Sequence, residues 1–240
     1  GIVFILVGLA FKISAVPFHM WAPDVYEGSP SPVTALFAIA PKVAAMALMM
    51  RLTYGAFGAI EAEWSQVLIA LSIASMAVGA LGAIMQRDIK RMLAYSSIGQ
   101  VGYMLLGIAL LSESGLMATM IHLFNHGITK AALFMGVGVY VLNGGGSFYH
   151  NLRGRGKTMP WTSAAMVVAG LSLIGVPGTA GFLSKWLLVE ATLEQGLWPI
   201  ALLIVASSLL AVIYVWKLIE TLYLAQPAEG LRSLRASMQQ

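Results

Sequence analysis

Apolar stretches close to the length needed to cross a bilayer, roughly 20 residues, recur along the whole chain with short polar gaps between them. There are seven, at 1–16, 33–54, 64–85, 92–111, 116–142, 161–193 and 197–224. In hydrocarbon every backbone N–H and C=O must find its partner inside the protein, so long, uninterrupted apolar runs predict helices rather than barrel strands. The expected fold is an all-α integral membrane protein, a multi-helix bundle. Composition agrees: 59% of the 240 residues are hydrophobic and 10% charged, against about 25% charged in an ordinary soluble domain. Residue 1 already lies inside an apolar run, with neither an initiator methionine nor a basic leader, so nothing there reads as a signal peptide. The expectation is a fragment whose preceding helices lie outside this sequence.

Charge placement predicts topology. Arg87, Lys90 and Arg91 follow the third segment, Arg153, Arg155 and Lys157 the fifth, and Arg232 and Arg235 the last. These alternate connections share one side, whereas the opposite ones carry Glu61, Glu63, Glu113 and Glu194 and almost no bases. The positive-inside rule makes the basic side cytoplasmic. The stretch "PFHMWAPDVYEGSPSP", residues 17–32, falls on that side, and its four prolines and Gly28 predict a rigid, non-helical connection. Asp24 and Glu27 within it read as solvated or salt-bridged loop acids, with proton entry or coupling as the alternative. Residues 143–157 read as a flexible basic loop. The net charge of +4 matters less than its placement, and nothing supports a nucleic-acid partner. With no cysteine in the sequence, disulfides, thiolate-bound iron–sulfur clusters and cysteine catalysis are excluded within it. Redox chemistry is expected in other chains.

The lysines carry the functional signal. Lys42 lies near the centre of 33–54, too far from either end to snorkel. Pro41 beside it supplies no N–H, which leaves the Phe37 carbonyl without its helical partner and predicts a break. The segment 161–193 repeats the device: Gly175, Pro177, Gly178 and Gly181 interrupt it and Lys185 follows. Lys185 is expected in the first turn of the second half-helix, whose positive dipole end disfavours an ammonium and suits a lysine that gives up its proton. In the fifth segment His122, His126 and Lys130 are spaced four apart and share one face. His-x-x-x-His could bind a metal, but no carboxylate or cysteine accompanies it, and a hydrogen-bonded polar axis is favoured.

Lys12 completes the set. Any one of these lysines could be a snorkelling or structurally paired cation; four on separate helices, two of them beside breaks, indicate function. Lys217 and Glu220, at i, i+3, read as an interfacial pair. Away from the cytoplasmic end the spanning acid is Glu190, so the buried cations are uncompensated and a carboxylate is expected on helices outside this sequence. The glycines of "GALG" (79–82) and "GVG" (136–138) suit close helix packing.

Three runs, "FKISAVPFHMWAPDVYEGSPSPVTALFAIAPK" (11–42), "DIKRMLAYSSIGQVGYM" (88–104) and "SLIGVPGTAGFLSKW" (172–186), resemble the antiporter-like family. That family contains membrane subunits of respiratory complex I, the proton-pumping NADH:quinone oxidoreductase, and the large subunits of multisubunit Na⁺/H⁺ antiporters. The resemblance covers essentially the whole chain. "PDVYEGSPSPV" is nearer to one complex I branch than to the relatives, which more often read "PDA" and "APTPVS".

The resemblance implies about fourteen helices in two inverted five-helix repeats, each with one broken helix. Residues 1–54 would then end the first repeat, 64–224 form the second, and 225–240 make a cytoplasmic tail. It also implies that Lys12 is the pumping lysine, with a glutamate partner on a helix outside the sequence, and that Lys42 is the connecting residue of a broken helix. Lys130 would be the relay lysine with His126 beside it, and Lys185 the terminal ionisable residue. The function implied is a proton-translocating membrane-arm subunit in a bacterial inner membrane. No cofactor is expected in this chain; flavin, iron–sulfur clusters and quinone would belong to partner subunits. Partners would be other membrane and peripheral subunits, especially neighbouring antiporter-like ones, and lipids. Two rivals are a subunit of a multisubunit Na⁺/H⁺ antiporter and an assembly scaffold that retains ancestral lysines.

Overall fold

The computed structural model describes residues 1–144 and 146–226. Arg232, Arg235 and nearly all of the expected tail lie outside the described residues. Helix α1 (Ile2–Ile13) has 12 residues, about 18 Å at 1.5 Å per residue, and is too short to cross a bilayer. It ends at Ser14, in the left-handed conformation (φ 64°), and the Val16 N–H donates to Ser75 Oγ at 3.0 Å. Ser75 precedes the end of α4 (Glu61–Ile84) by about 14 Å of helix axis, so the chain leaves α1 at mid-depth.

The chain resumes as α2 (Trp21–Gly28), which ends against the start of α5 (Ile89–Ala109). There Lys90 Nζ donates to the carbonyls of Glu27 (2.7 Å) and Ser29 (2.5 Å), and Arg91 Nη1 binds Asp24 (2.6 Å) and Glu27 (2.9 Å). Helices α1 and α2 are thus the halves of one pass. Residues 17–32 are therefore not a non-helical connection: Asp24 and Glu27 are salt-bridged, but from a helix. Pro23 is tolerated there because it sits in the first turn of α2, where no intrahelical N–H bond is lost.

Helix α3 (Ser31–Arg51) runs unbroken through Pro41, contrary to expectation. The Tyr26 hydroxyl donates to the orphaned Phe37 carbonyl at 3.3 Å, which replaces the missing N–H and removes the need for a break. Irregularity comes later, in the π turn Leu52–Ala56. The second break falls where the sequence places it, between α7 (Pro160–Ile174) and α8 (Ala180–Glu194). Gly175 and Gly178 both stand at φ 90° in that gap, a conformation that needs glycine.

Helices α6 (Glu113–Leu142) and α9 (Trp198–Ile219) complete the bundle. Counting each broken pair once, the described residues make seven passes. Four segments are long and apolar enough to cross a membrane unaided: Ser31–Ala56, Gly58–Ile84, Ile89–Ala109 and Trp198–Leu224. Helix α5 is buried almost throughout, enclosed by α2, α4 and α6.

The basic connections gather at one end and are tied together. Asp88 caps α5 by accepting from the Arg91 N–H (3.0 Å) and from the Ser147 hydroxyl. Ile89 N–H donates to Ser147 O (2.9 Å), Tyr149 N–H to Arg87 O (3.2 Å) and Gly154 N–H to Thr221 O (3.0 Å). The described part of 143–157 is therefore pinned by hydrogen bonds to its neighbours, not a free loop. Lys217 does not pair with Glu220: its Nζ donates to Gln86 O at 2.8 Å and lies 4.8 Å from the Tyr149 ring centroid. Burial and the nearby Asp88 push the Tyr149 hydroxyl pKa upward, so the ring meets that ammonium as a neutral phenol.

Arg155, buried, donates to three carbonyls, those of Asn151 (3.1 Å), Asn143 (3.1 Å) and Tyr140 (3.5 Å), and so caps the C-terminal end of α6. Arg155→Ala is expected to cost about 2 kcal/mol, as the loss of charge-assisted bonds to buried acceptors does. A lowered thermal midpoint in detergent checks it.

Candidate functional site

Helix α6 supplies the spine of the site. His122, His126 and Lys130 face inward from it and are buried, as are Lys42 on α3 and Lys185 on α8. Lys42, Lys130 and His122 are all electrostatic neighbours of His126, and Lys185 is a neighbour of His122. The structure thus brings these side chains into one row, from Lys130 through His126 and His122 to Lys185, with Lys42 alongside.

The three lysines are held differently. Lys130 Nζ donates to the Leu93 carbonyl (2.9 Å) and to Ser96 Oγ, both on α5. Lys185 Nζ reaches back across the break to the carbonyls of Leu173 (3.0 Å) and Ile174 (2.8 Å), and lies 4.8 Å from the Tyr103 ring centroid. Those carbonyls end α7, so the half-helix dipole that acts on Lys185 is a negative one and favours the ammonium. This reverses the expectation from sequence, which placed the lysine in the first turn of α8; it stands past that turn, and its long stem carries the charge to the other half-helix. Lys42 Nζ has no hydrogen-bond partner among the described residues and lies 5.7 Å from the Tyr26 ring centroid.

His122 Nδ1 is 2.9 Å from Ser184 Oγ, while its Nε2 has no hydrogen-bond partner among the described residues. Neither ring nitrogen of His126 makes a well-directed bond, although the Ala38 carbonyl of α3 is in its neighbourhood. Among the described residues no acid pairs with the row. The ion pairs among the described residues are those of Arg91, Glu190 is exposed on α8, and no group of three or more His, Cys, Asp or Glu could hold a metal among the described residues.

Lys12 is not brought in. It is exposed in the last turn of α1, on a groove of about 510 Å³ whose walls include Phe11, Trp21, Phe37 and Pro41. His122, which the sequence sets on the same face as His126 and Lys130, joins the row as its link to Lys185. Tyr26, Ser96, Tyr103 and Ser184 had no signal of their own, because each acts across a helix interface. Chemically, every member of the row carries a group that can gain or lose a proton.

A helical bundle with discontinuous passes and a row of buried cations, with Lys185 beside a break, defines a transporter-type membrane subunit. The family model for the transmembrane region of NADH:quinone oxidoreductase and Mrp antiporter subunits matches residues 1–211, and the chain belongs to that family. It is 44% identical over 241 residues to NADH-quinone oxidoreductase subunit N of Rhodospirillum rubrum, an alignment covering 98% of this chain and 48% of that protein. The chain spans about half the length of the curated relatives it matches. Among solved structures, the Mrp complex of Dietzia sp. DQ12-45-1b superposes with a TM-score of 0.87 at 32% identity, over 93% of this chain and 42% of that one. Respiratory complex I of Thermus thermophilus gives 0.78 at 33% identity, over 93% and 49%.

Proposed function

We propose that the protein to which this chain belongs is the proton-translocating membrane-arm subunit of a bacterial NADH:quinone oxidoreductase, seated in the inner membrane with its basic end in the cytoplasm. The observation that carries the reading is the continuous buried row of Lys42, Lys130, His126, His122 and Lys185. Its relatives' names support the redox partner. Flavin, iron–sulfur clusters and quinone would reside in partner subunits, and this chain would work with other membrane and peripheral subunits, neighbouring antiporter-like subunits and lipids. Residues 1–54 would close a first repeat and 64–224 form a second.

The row works by charge. Buried donors and acceptors without protein partners, at Lys42, His122 and His126, are the sites at which water is held in protein interiors, and water would complete a path between them. Like charges packed this closely cannot all be protonated together, so the arrival of a proton at one group favours its departure from the next. Lys12 would couple this row to the rest of the protein: opening its pair with a carboxylate from outside the sequence removes a counter-charge and drives its proton toward Lys42. From there the proton passes by Lys130, His126 and His122 to Lys185. By linkage, an opposing gradient acts back on quinone reduction.

The test is the double variant Lys42→Met, Lys185→Met in the full-length protein. The complex is expected to assemble and run as one NADH-oxidising band on a native gel, while vesicles carrying it lose proton pumping. Wild-type pumping by the assembled double variant would overturn the reading. The likeness to the Mrp complex favours a second one, a cation/proton antiporter subunit; proton flux that depends on Na⁺ and needs no NADH would select it.

A further inference from the structure

Tyr103 of α5, fully buried, touches both His122 and Lys185. Lys185 Nζ is 4.8 Å from its ring centroid, and the His122 ring meets it edge to face, with centroids 5.6 Å apart and planes at 78°. Its hydroxyl is engaged elsewhere, 3.4 Å from Ser208 Oγ on α9. We infer that Tyr103 is a positioning residue of the row, and that its ring face holds the Lys185 ammonium beside His122 so that the proton passes between those two groups.

An aromatic ring suits this task in a way a carboxylate does not. Its negative face attracts a cation, yet it accepts no proton. The other contacts of Lys185, the carbonyls of Leu173 and Ile174, are equally poor proton acceptors. The ammonium is therefore stabilised without a competitor for its proton, and His122, kept in place by Ser184 at 2.9 Å, is the basic group on that side. The same arrangement occurs independently at Lys42, 5.7 Å from the ring centroid of Tyr26, whose hydroxyl donates to Phe37 O. Both lysines of the row that lack a hydroxyl partner rest on a tyrosine.

The inference depends on the proton-transfer reading above, and the experiment separates the two. Proton pumping is measured in vesicles holding the assembled complex with Lys185→Met, Tyr103→Phe, Tyr103→Leu, or a phenylalanine at 103 carrying one, two or three ring fluorines. Fluorine drains the ring face of negative charge while nearly preserving its size. Tyr103→Phe is expected to pump like wild type, the fluorinated rings to fall stepwise to about a tenfold loss, and Tyr103→Leu to fall at least as far. A merely structural ring would leave the fluorine series flat. A flat series with Lys185→Met inactive overturns the role of Tyr103 and leaves the row standing, as does a Tyr103→Phe variant no better than Tyr103→Leu. Full pumping by Lys185→Met overturns both.

Discussion

Gly79→Leu is expected to leave little folded protein in the membrane. A Cβ at this position would lie 2.3 Å from Gly99 N, 2.6 Å from Gly99 Cα and 2.9 Å from Tyr95 O. All three are backbone atoms of α5, so no rotamer change relieves the clash and α4 must part from α5. Overpacking a core costs about 1–3 kcal/mol and occasionally more. Here the top of that range or beyond is expected, since close approach at small residues is itself what joins helices in lipid. The damage should spread, because α5 is the element against which α2, α4 and α6 pack. The check is the thermal midpoint and monodisperse fraction of the full-length protein in detergent, with Gly58→Leu as control, where a Cβ meets nothing within 4 Å. An unchanged midpoint for Gly79→Leu would mean that this contact contributes little.

Lys130→Met should separate stability from transport in the opposite sense. Lys130 is fully buried, has Lys42 as an electrostatic neighbour, and is held by Leu93 O and Ser96 Oγ. Methionine of similar length removes both the desolvated charge and its repulsion with Lys42. The acceptors left behind are not stranded: the Ser96 and Ser97 hydroxyls each donate to Leu93 O at 2.9 Å. Exchanging buried charge for well-packed apolar volume is commonly neutral or stabilising by about 1–4 kcal/mol, so the thermal midpoint should hold or rise. Proton pumping should collapse, because Lys130 is the group that takes the proton from Lys42 and hands it to His126. A midpoint that drops while pumping persists would make Lys130 a structural cation.

Much of this architecture is local, and local features are legible in a sequence. The number of passes follows from run length, the clustered bases from alternation of the connections, and the break at Gly175–Gly178 from residues that alone suit its backbone. The shared face of His122, His126 and Lys130 follows from helical period. The glycine reading also carries through, since a Cβ at Gly136 or Gly138 would collide with Met166 or Ser31.

The first break was misplaced for an instructive reason. Pro41 is the stronger local breaker, yet α3 continues through it because a hydroxyl from Tyr26, on the neighbouring helix α2, satisfies the freed carbonyl. The true break, at Ser14–Met20, lies among residues whose prolines looked like a surface linker. Similarly, Lys185 looked destabilised by the half-helix that contains it and is in fact held by the one before it. The sequence alone therefore determined the helical class, the number of passes and the residue types on each face, since hydrophobic burial and backbone hydrogen bonding act over one element at a time. Only the tertiary structure decided which helix carries the first break, which lysines join one row and which aromatic faces hold them, because those depend on contacts of a few ångströms between elements that packing brings together.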